Sequence, residues 1–393
     1  MSVAEKLFSI FYLNKRNQFA VFTQAQEAYL YHQNYRINLI TGSKELVGID
    51  FFINYLKGIN LEYQSKRGKV IHLFYELGYL FGELELPGDP ALAIFIDYSK
   101  TKILPYEKLK FLCPKKIKVK LESKISRSEY EKKFEQVYEQ LFKGNCYQLN
   151  LTYQCDFSWK EDYLPQEWIA KIWKSKKNRA AYAHATYSDI LKKLYLSNSP
   201  ECLFKTNKTQ IFSMPIKGSL SLKSLSLKRA WNILSKNTKE QAELYMISDL
   251  VRNDLSRVSE FDAHILETKK MLEVPGIVHQ YSIVSAKLGV KINLFQILNS
   301  LYPGGSITGA PKKRVMQLIS SFENGARGFY CGSTLLLQAH NKSASINIRS
   351  ATLDFKMKTL RYGCGGGITL QSRSDSEYEE ANLKLKSFIR LLD

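Results

Sequence analysis

Between residues 128 and 142, apolar side chains recur at three- and four-residue spacing: Tyr130, Phe134, Val137, Tyr138, Leu141 and Phe142. That spacing predicts an amphipathic helix, with Ser128 and Glu131 as a capping box and Gly144 as its stop. The period then drops to two. In "CYQLNLTYQCDF", Tyr147, Leu149, Leu151 and Tyr153 face one way and Gln148, Asn150, Thr152 and Gln154 the other. This is a strand with one polar face, which either meets solvent or lines a polar cavity. Downstream the pattern predicts a strand around 181–186, a hairpin-like pair around 192–217 and helices near 224–235 and 238–256. Strands near 277–288 and helices at about 292–302 and 311–321 follow. Strands at 329–338, 344–354 and 358–362 precede a closing helix at 375–391.

The first part of the chain mixes short apolar runs with turn signals. "KVIHLFYEL" and "ALAIFIDY", rich in Ile, Val, Phe and Tyr, flank "PGDP" and read as strands. Strands arrive in groups and do not alternate with helices. That predicts an α+β fold with antiparallel sheets, not a doubly wound one. The lysine-rich "CPKKIKVKLESKISR" at 113–127 reads as a connection. It separates a sheet-rich region, 1–115, from a second region, 120–393.

Composition narrows the picture further. The chain has 393 residues, 45% hydrophobic and 24% charged, ordinary for a globular protein. No apolar run approaches the roughly 18 residues of a membrane span. The opening "MSVAEKLFSIFYLNKRNQF" lacks the architecture of a secretion leader, so a cytoplasmic protein is expected. Six cysteines are scattered without C-x-x-C or Cys/His metal spacing, which predicts reduced, packed thiols. The net charge of +20 comes mostly from lysines spread along the chain. No zinc finger, helix-turn-helix or RNP-like string accompanies them, so no specific nucleic-acid partner is expected.

Several strings carry candidate chemistry. Glu240 and Glu243 in "TKEQAELYMISDL" are three apart on a predicted helix, as are Glu377 and Glu380 in "SDSEYEEANLKLK", with Lys384 a turn beyond. Such pairs are either solvated or a site for Mg²⁺, a hard cation that takes oxygen ligands. "YGCGGGIT", 362–369, is read as joining a strand to the last helix, either as a flexible turn or as an anion cradle of bare N–H groups. "PGGSITGAPKKR", 303–314, resembles a second anion-binding helix start, with Pro311 in the first turn. Glu201 in "SPE" and Lys217 in "SMPIKGSL" stand at the two ends of a hairpin-like stretch. An acid and an amine at one mouth form a candidate catalytic pair.

Taken in order, "SPE", "PIKGS", "KEQAELYMISDLVRNDLSRV", "PGGSITGAPKKRVMQLI", "RGFYCGS", "INIRSATL" and "GCGGGITLQSRSDSEYEEANLK" resemble the chorismate-utilising enzymes. The resemblance is strong over 120–393 and loose before it. It implies one intertwined two-lobed unit, with two large, mainly antiparallel sheets packed together and helices outside. It implies Mg²⁺ held by Glu243 and Glu380, with Glu240 and Glu377 in support. Gly365, Gly366, Tyr330, Arg349 and Lys384 match positions that hold substrate carboxylates. Thr308 matches a pocket loop, and His279 a histidine near the ring, which the resemblance places with the catalytic residues. Gln148 stands where water-adding relatives carry a lysine base, which favours nitrogen as the incoming group. "PIKG" matches the branch that aminates chorismate at C4, where anthranilate synthases read "PIAG".

By that resemblance Lys217 is a nucleophile and Glu201 a general acid, then a base, in making 4-amino-4-deoxychorismate on the way to p-aminobenzoate and folate. Lysine attacks only when neutral, which a partly desolvated position favours. Ammonia is expected from a separate glutamine amidotransferase subunit of the PabA type. Ser219 stands where threonine is usual, Cys202 follows Glu201 in place of arginine, and Ala381 replaces a threonine. The alternatives are an anthranilate synthase component I or a catalytically silent chorismate- or nucleic-acid-binding protein.

Overall fold

A computed structural model describes residues 5–59, 67–207, 209–222, 224–274, 276–289, 291–338 and 341–393. The first four residues of the stretch read for a leader lie outside them. The strands form one continuous antiparallel ladder. From one end, Lys120–Ser123 and Gly309–Ala310 pair with Gln148–Ser158, followed by Thr359–Ile368, Ser350–Asp354, Lys193–Ser199 and Tyr182–Ser188. Leu7–Leu13, Gln18–Tyr31, Ala93–Pro105 and Gly68–Leu73 come next. The far half holds Ser333–Gln338, Asn341–Ile346, Cys202–Thr206 and Gln210–Met214, then Ile277–Lys287 with Ile216–Ser221 beside it, and His264–Val274 at the edge. The two predicted sheets are thus halves of one ladder, joined through strands of the first 105 residues.

Alternation explains the packing. Leu149, Leu151 and Phe157 are buried in the main core with Trp168 and Trp173. The helix Arg127–Phe142 adds Tyr130, Phe134, Val137 and Leu141. Each such side chain contributes about 1.5–3 kcal/mol. Among the described residues, no helix is long and apolar enough to cross a membrane.

Four expectations change. Ser126, not Ser128, caps the 127–142 helix; its Oγ accepts from the Glu129 N–H at 3.2 Å. Ser126 is where the backbone is still extended, at φ −71° and ψ 161°, so its side chain meets the free N–H groups. The stretch 192–217 is not one hairpin. It contains Lys193–Ser199, Cys202–Thr206 and Gln210–Met214, and it runs into Ile216–Ser221. The run 344–354 breaks at Arg349, which has φ 54°. The strand placed at 358–362 is Thr359–Ile368 and absorbs the glycine string. The charged edge strand His264–Val274 and the helix Pro165–Ile172 have no counterpart among the predicted elements.

Candidate active site

Two helices supply the acidic side of one cavity, and strands line much of the rest of it. Thr238–Ser256 begins at the Asn237 cap, whose Oδ1 accepts from the Glu240 N–H at 3.1 Å. That start puts Glu240 and Glu243 in its first turns. Ser374–Ile389 supplies Glu377, Glu380 and Lys384. Lys217 and Ser219 come from Ile216–Ser221, and His279 from its partner strand. Every candidate residue lines the cavity except Gln148 and Thr308, which are wholly buried behind it. The polar face of Gln148–Ser158 is therefore interior at Gln148, Asn150 and Thr152 and partly exposed from Gln154 onward, and Asn150 reaches the cavity wall.

The glycine string is a strand, not a turn, because Gly363–Gly367 pair along one edge with Gln154–Asn150. Its missing side chains leave room for others. A Cβ on Gly363 would lie 2.1 Å from the Tyr330 ring, and one on Gly367 2.6 Å from Lys217 Nζ and 3.0 Å from Gln148 Nε2. Gln148 and Lys217 thus approach the same glycine. Neither amide atom of Gln148 has a hydrogen-bond partner among the described residues.

Lys217 is aimed by a bulge. Lys217 pairs with Gln280 and Ser219 with His279, so Gly218 is the extra residue, at φ +81°. A Cβ there would meet Glu240 Oε2 at 2.8 Å. Among the described residues no hydrogen bond or ion pair holds Lys217 Nζ. Glu201, at the start of the neighbouring hairpin, is 2% exposed and accepts from the Ile216 N–H at 3.3 Å. Burial raises its pKa to about 7, against the Ser306 hydroxyl, that N–H and the Lys217 charge. It is a carboxylic acid able to give and take a proton near neutrality.

The two glutamate pairs converge from separate helices. Burial, then the charges of Glu243 and Glu380, lift Glu240 to about 7. Burial also raises Glu243, opposed by Lys217 and Lys239. For Glu380 burial works upward. It is outweighed by Lys384, 3.1 Å away, and by the Ser219 hydroxyl at 2.8 Å, which hold it at about 2. Lys384 also donates to the Gly365 carbonyl at 2.8 Å. Lys239 lies 3.3 Å from Glu377 and 3.8 Å from Glu243. Among the described residues no three such groups form a ready-made metal cage. The donors nevertheless suit a hard cation: all are carboxylates, and Glu243 and Glu380 add to burial in raising Glu240, a charge crowding that a cation would relieve.

His279 donates through Nδ1–H to the Gly218 carbonyl at 3.1 Å and accepts at Nε2 from Arg349 at 3.4 Å. Burial and the Arg349 charge push its pKa to about 3. It is neutral, and it orients Arg349 without being able to supply a proton. Behind the wall lies a network to which the motif reading assigned no role. Buried Arg327 holds Glu323 and the carbonyls of Asn150 and Ile307 at 2.6 and 2.8 Å. Glu323 accepts from the Thr152 N–H at 2.7 Å, and Glu76 from the Arg327 N–H at 2.7 Å. The sequence signal was the i,i+4 Glu–Arg pair in "FENGARG", which reads equally as a surface pair.

Residues 107–390 match the family model described as chorismate binding enzyme. The chain is 33% identical over 277 residues to aminodeoxychorismate synthase component 1 of Escherichia coli, covering 69% of this chain and 59% of that protein. It is 35% identical over 263 residues to an uncharacterized PabA-like protein of Haemophilus influenzae, covering 64% and 73%. The chain thus spans about three fifths of the length of the curated synthases it matches. In fold it resembles anthranilate synthase component I of Streptococcus pneumoniae, with TM-score 0.75, 20% identity and coverage of 95% of this chain and 92% of that one. A putative 2,3-dihydroxybenzoate-specific isochorismate synthase of Bacillus anthracis gives TM-score 0.76 at 15% identity, covering 100% and 97%.

Proposed function

The chain belongs to the chorismate binding enzymes, and from that premise we propose that it aminates chorismate at C4 to give 4-amino-4-deoxychorismate. The observation that carries this reading is Lys217. Among the described residues its amine has no hydrogen-bond or ion-pair partner, and it faces the cavity beside a buried glutamate whose pKa burial raises to about 7. The similarity to aminodeoxychorismate synthase component 1 supports the same choice over anthranilate synthesis.

In this reading Lys217 first releases its proton to solvent, and the free amine bonds to C2 of the ring. Glu201 gives its proton to the C4 hydroxyl, which leaves as water while both ring double bonds shift toward C4. Ammonia then bonds to C4, the C2–nitrogen bond breaks, and its electron pair returns to Lys217. The C4 ammonium loses a proton to the Glu201 carboxylate, which restores the acid. Chorismate and ammonia give the amino product and water, and the enolpyruvyl group stays in place. Two easier substitutions replace one difficult one.

Arg349, oriented by His279, and Lys384 supply charges for the substrate carboxylates, and the glycine strand lets them approach closely. Glu243 and Glu380 would hold Mg²⁺, with Glu240 and Glu377 behind them. When bound, Mg²⁺ supplies charge that neutralises a substrate carboxylate. Ammonia would come from a glutamine amidotransferase subunit, consistent with the "component 1" of its relatives. A cytoplasmic setting suits the free, mostly buried thiols.

The test is mass spectrometry of products from chorismate, Mg²⁺ and ammonium salts with the purified chain. A product carrying nitrogen with no pyruvate released supports the proposal. Anthranilate with stoichiometric pyruvate would replace it with the anthranilate reaction.

A further inference from the structure

Lys239 enters none of the steps above, yet it occupies the mouth of the acidic cluster. Its Nζ bridges the two helices, 3.3 Å from Glu377 Oε1 and 3.8 Å from Glu243 Oε1, and its side chain is 31% exposed. The two carboxylates it touches are 12% and 8% exposed, so its charge is their nearest neutralisation. On the other side Lys384 does the same for Glu380. The two lysines differ in what else holds them. Lys384 is also anchored to the Gly365 carbonyl, on the cavity floor. Among the described residues the polar contacts of Lys239 Nζ are the carboxylates alone. It sits at the start of its helix, beside Glu240, with a flexible four-carbon stem on the solvent side.

We propose that Lys239 is a built-in counter-cation that fills the acidic cluster when no divalent ion is bound and must leave when one enters. This rests on the Mg²⁺ site of the proposed function. A divalent ion on Glu243 would repel the ammonium 3.8 Å away, so metal entry drives the ammonium outward. The ammonium keeps two helices with four glutamates packed together in the free protein, at the cost of metal affinity. Its release on metal entry returns a positive charge to the cavity mouth, where an anionic substrate arrives. Lys239 is a positioning residue: it acts on metal and helices and makes no bond in the reaction.

The test measures binding, not turnover. Mg²⁺ is titrated by calorimetry, without chorismate, into wild type, Lys239→Met and Lys239→Arg. A partly exposed ion pair of this kind is worth at most about a factor of five. Lys239→Met should therefore bind Mg²⁺ several-fold tighter, and Lys239→Arg should stay near wild type. Without metal, Lys239→Met should melt lower than wild type, and saturating Mg²⁺ should close that gap. Unchanged or weaker Mg²⁺ binding in Lys239→Met would overturn the proposal. Glu243→Gln separates the two claims. If it binds Mg²⁺ as wild type does, the metal site itself is misplaced; if it loses binding while Lys239→Met does not gain it, only the counter-cation role falls.

Discussion

Replacing Glu201 by glutamine should make the protein more stable and much slower, and the stability gain should depend on pH. The carboxyl is buried, and its pKa is about 7 against an ordinary 4.5. Between these values the folded state holds a proton that the unfolded chain has already released. Stability therefore falls as pH rises through that window, and the full cost is present above pH 7. At 1.36 kcal/mol per unit, the penalty of the ionised carboxylate is about 3 kcal/mol. Glutamine keeps the shape and the acceptor for the Ile216 N–H but carries no charge. Urea denaturation at pH 8 should show Glu201→Gln more stable than wild type by up to about 3 kcal/mol, shrinking to under about 1 kcal/mol at pH 5. Turnover should drop by about 10²–10⁴, the usual contribution of a positioned acid–base group. A stability difference that is the same at both pH values would show that Glu201 does not titrate in this window. An unchanged rate would remove it from the chemistry.

Gly367→Ala should fold almost normally yet lose most activity, because its Cβ would lie 2.6 Å from the movable end of Lys217; near-normal turnover would mean Lys217 works from another position. Glu243→Gln and Glu380→Gln should each raise the Mg²⁺ needed for half-maximal activity by about 10- to 100-fold, and wild-type turnover at low Mg²⁺ would remove them as ligands. Arg327→Met leaves Glu323 buried without its partner and should cost about 3–5 kcal/mol in denaturation, and a loss below 1 kcal/mol would contradict the wall-bracing role. Glutamine alone should be a poor nitrogen source for this chain until an amidotransferase subunit is added, whereas ammonium should serve directly; efficient glutamine use by the pure chain would contradict the division of labour.

Where local pattern and tertiary structure agree, the sequence was legible. The 238–256 helix has both its apolar period and its Asn237 cap written in adjacent residues, and its bounds match. The glycine strand was hidden because glycine carries no strand preference and no face. Only the neighbouring strand Gln148–Ser158 makes it extended, and only the side chains that crowd into it explain its composition. His264–Val274 was missed for a related reason: it is an edge strand, largely exposed, so it needs no apolar alternation. The site was legible through motifs, which is why Lys217, Glu201 and the four glutamates fell in one cavity. The roles of Lys239 and Arg327 were not, although each opens one of those motif strings, since a lysine beside a glutamate and a Glu–Arg pair read as solvated charge. Their partners lie on other elements: Glu377 for Lys239, and the Asn150 and Ile307 carbonyls for Arg327.

Whether Lys217 bonds to the substrate decides between covalent and direct amination. The purified chain, incubated with chorismate and Mg²⁺ but without ammonia, is quenched, digested and examined by peptide mass spectrometry. The peptide containing Lys217 should carry the mass of chorismate less water, and adding ammonium before the quench should discharge it. Lys217→Ala should show no adduct and a large loss of amination, though not necessarily all of it, because Glu201 still activates the C4 hydroxyl. Full turnover in Lys217→Ala, with no modified peptide in the wild type, would contradict the nucleophile assignment.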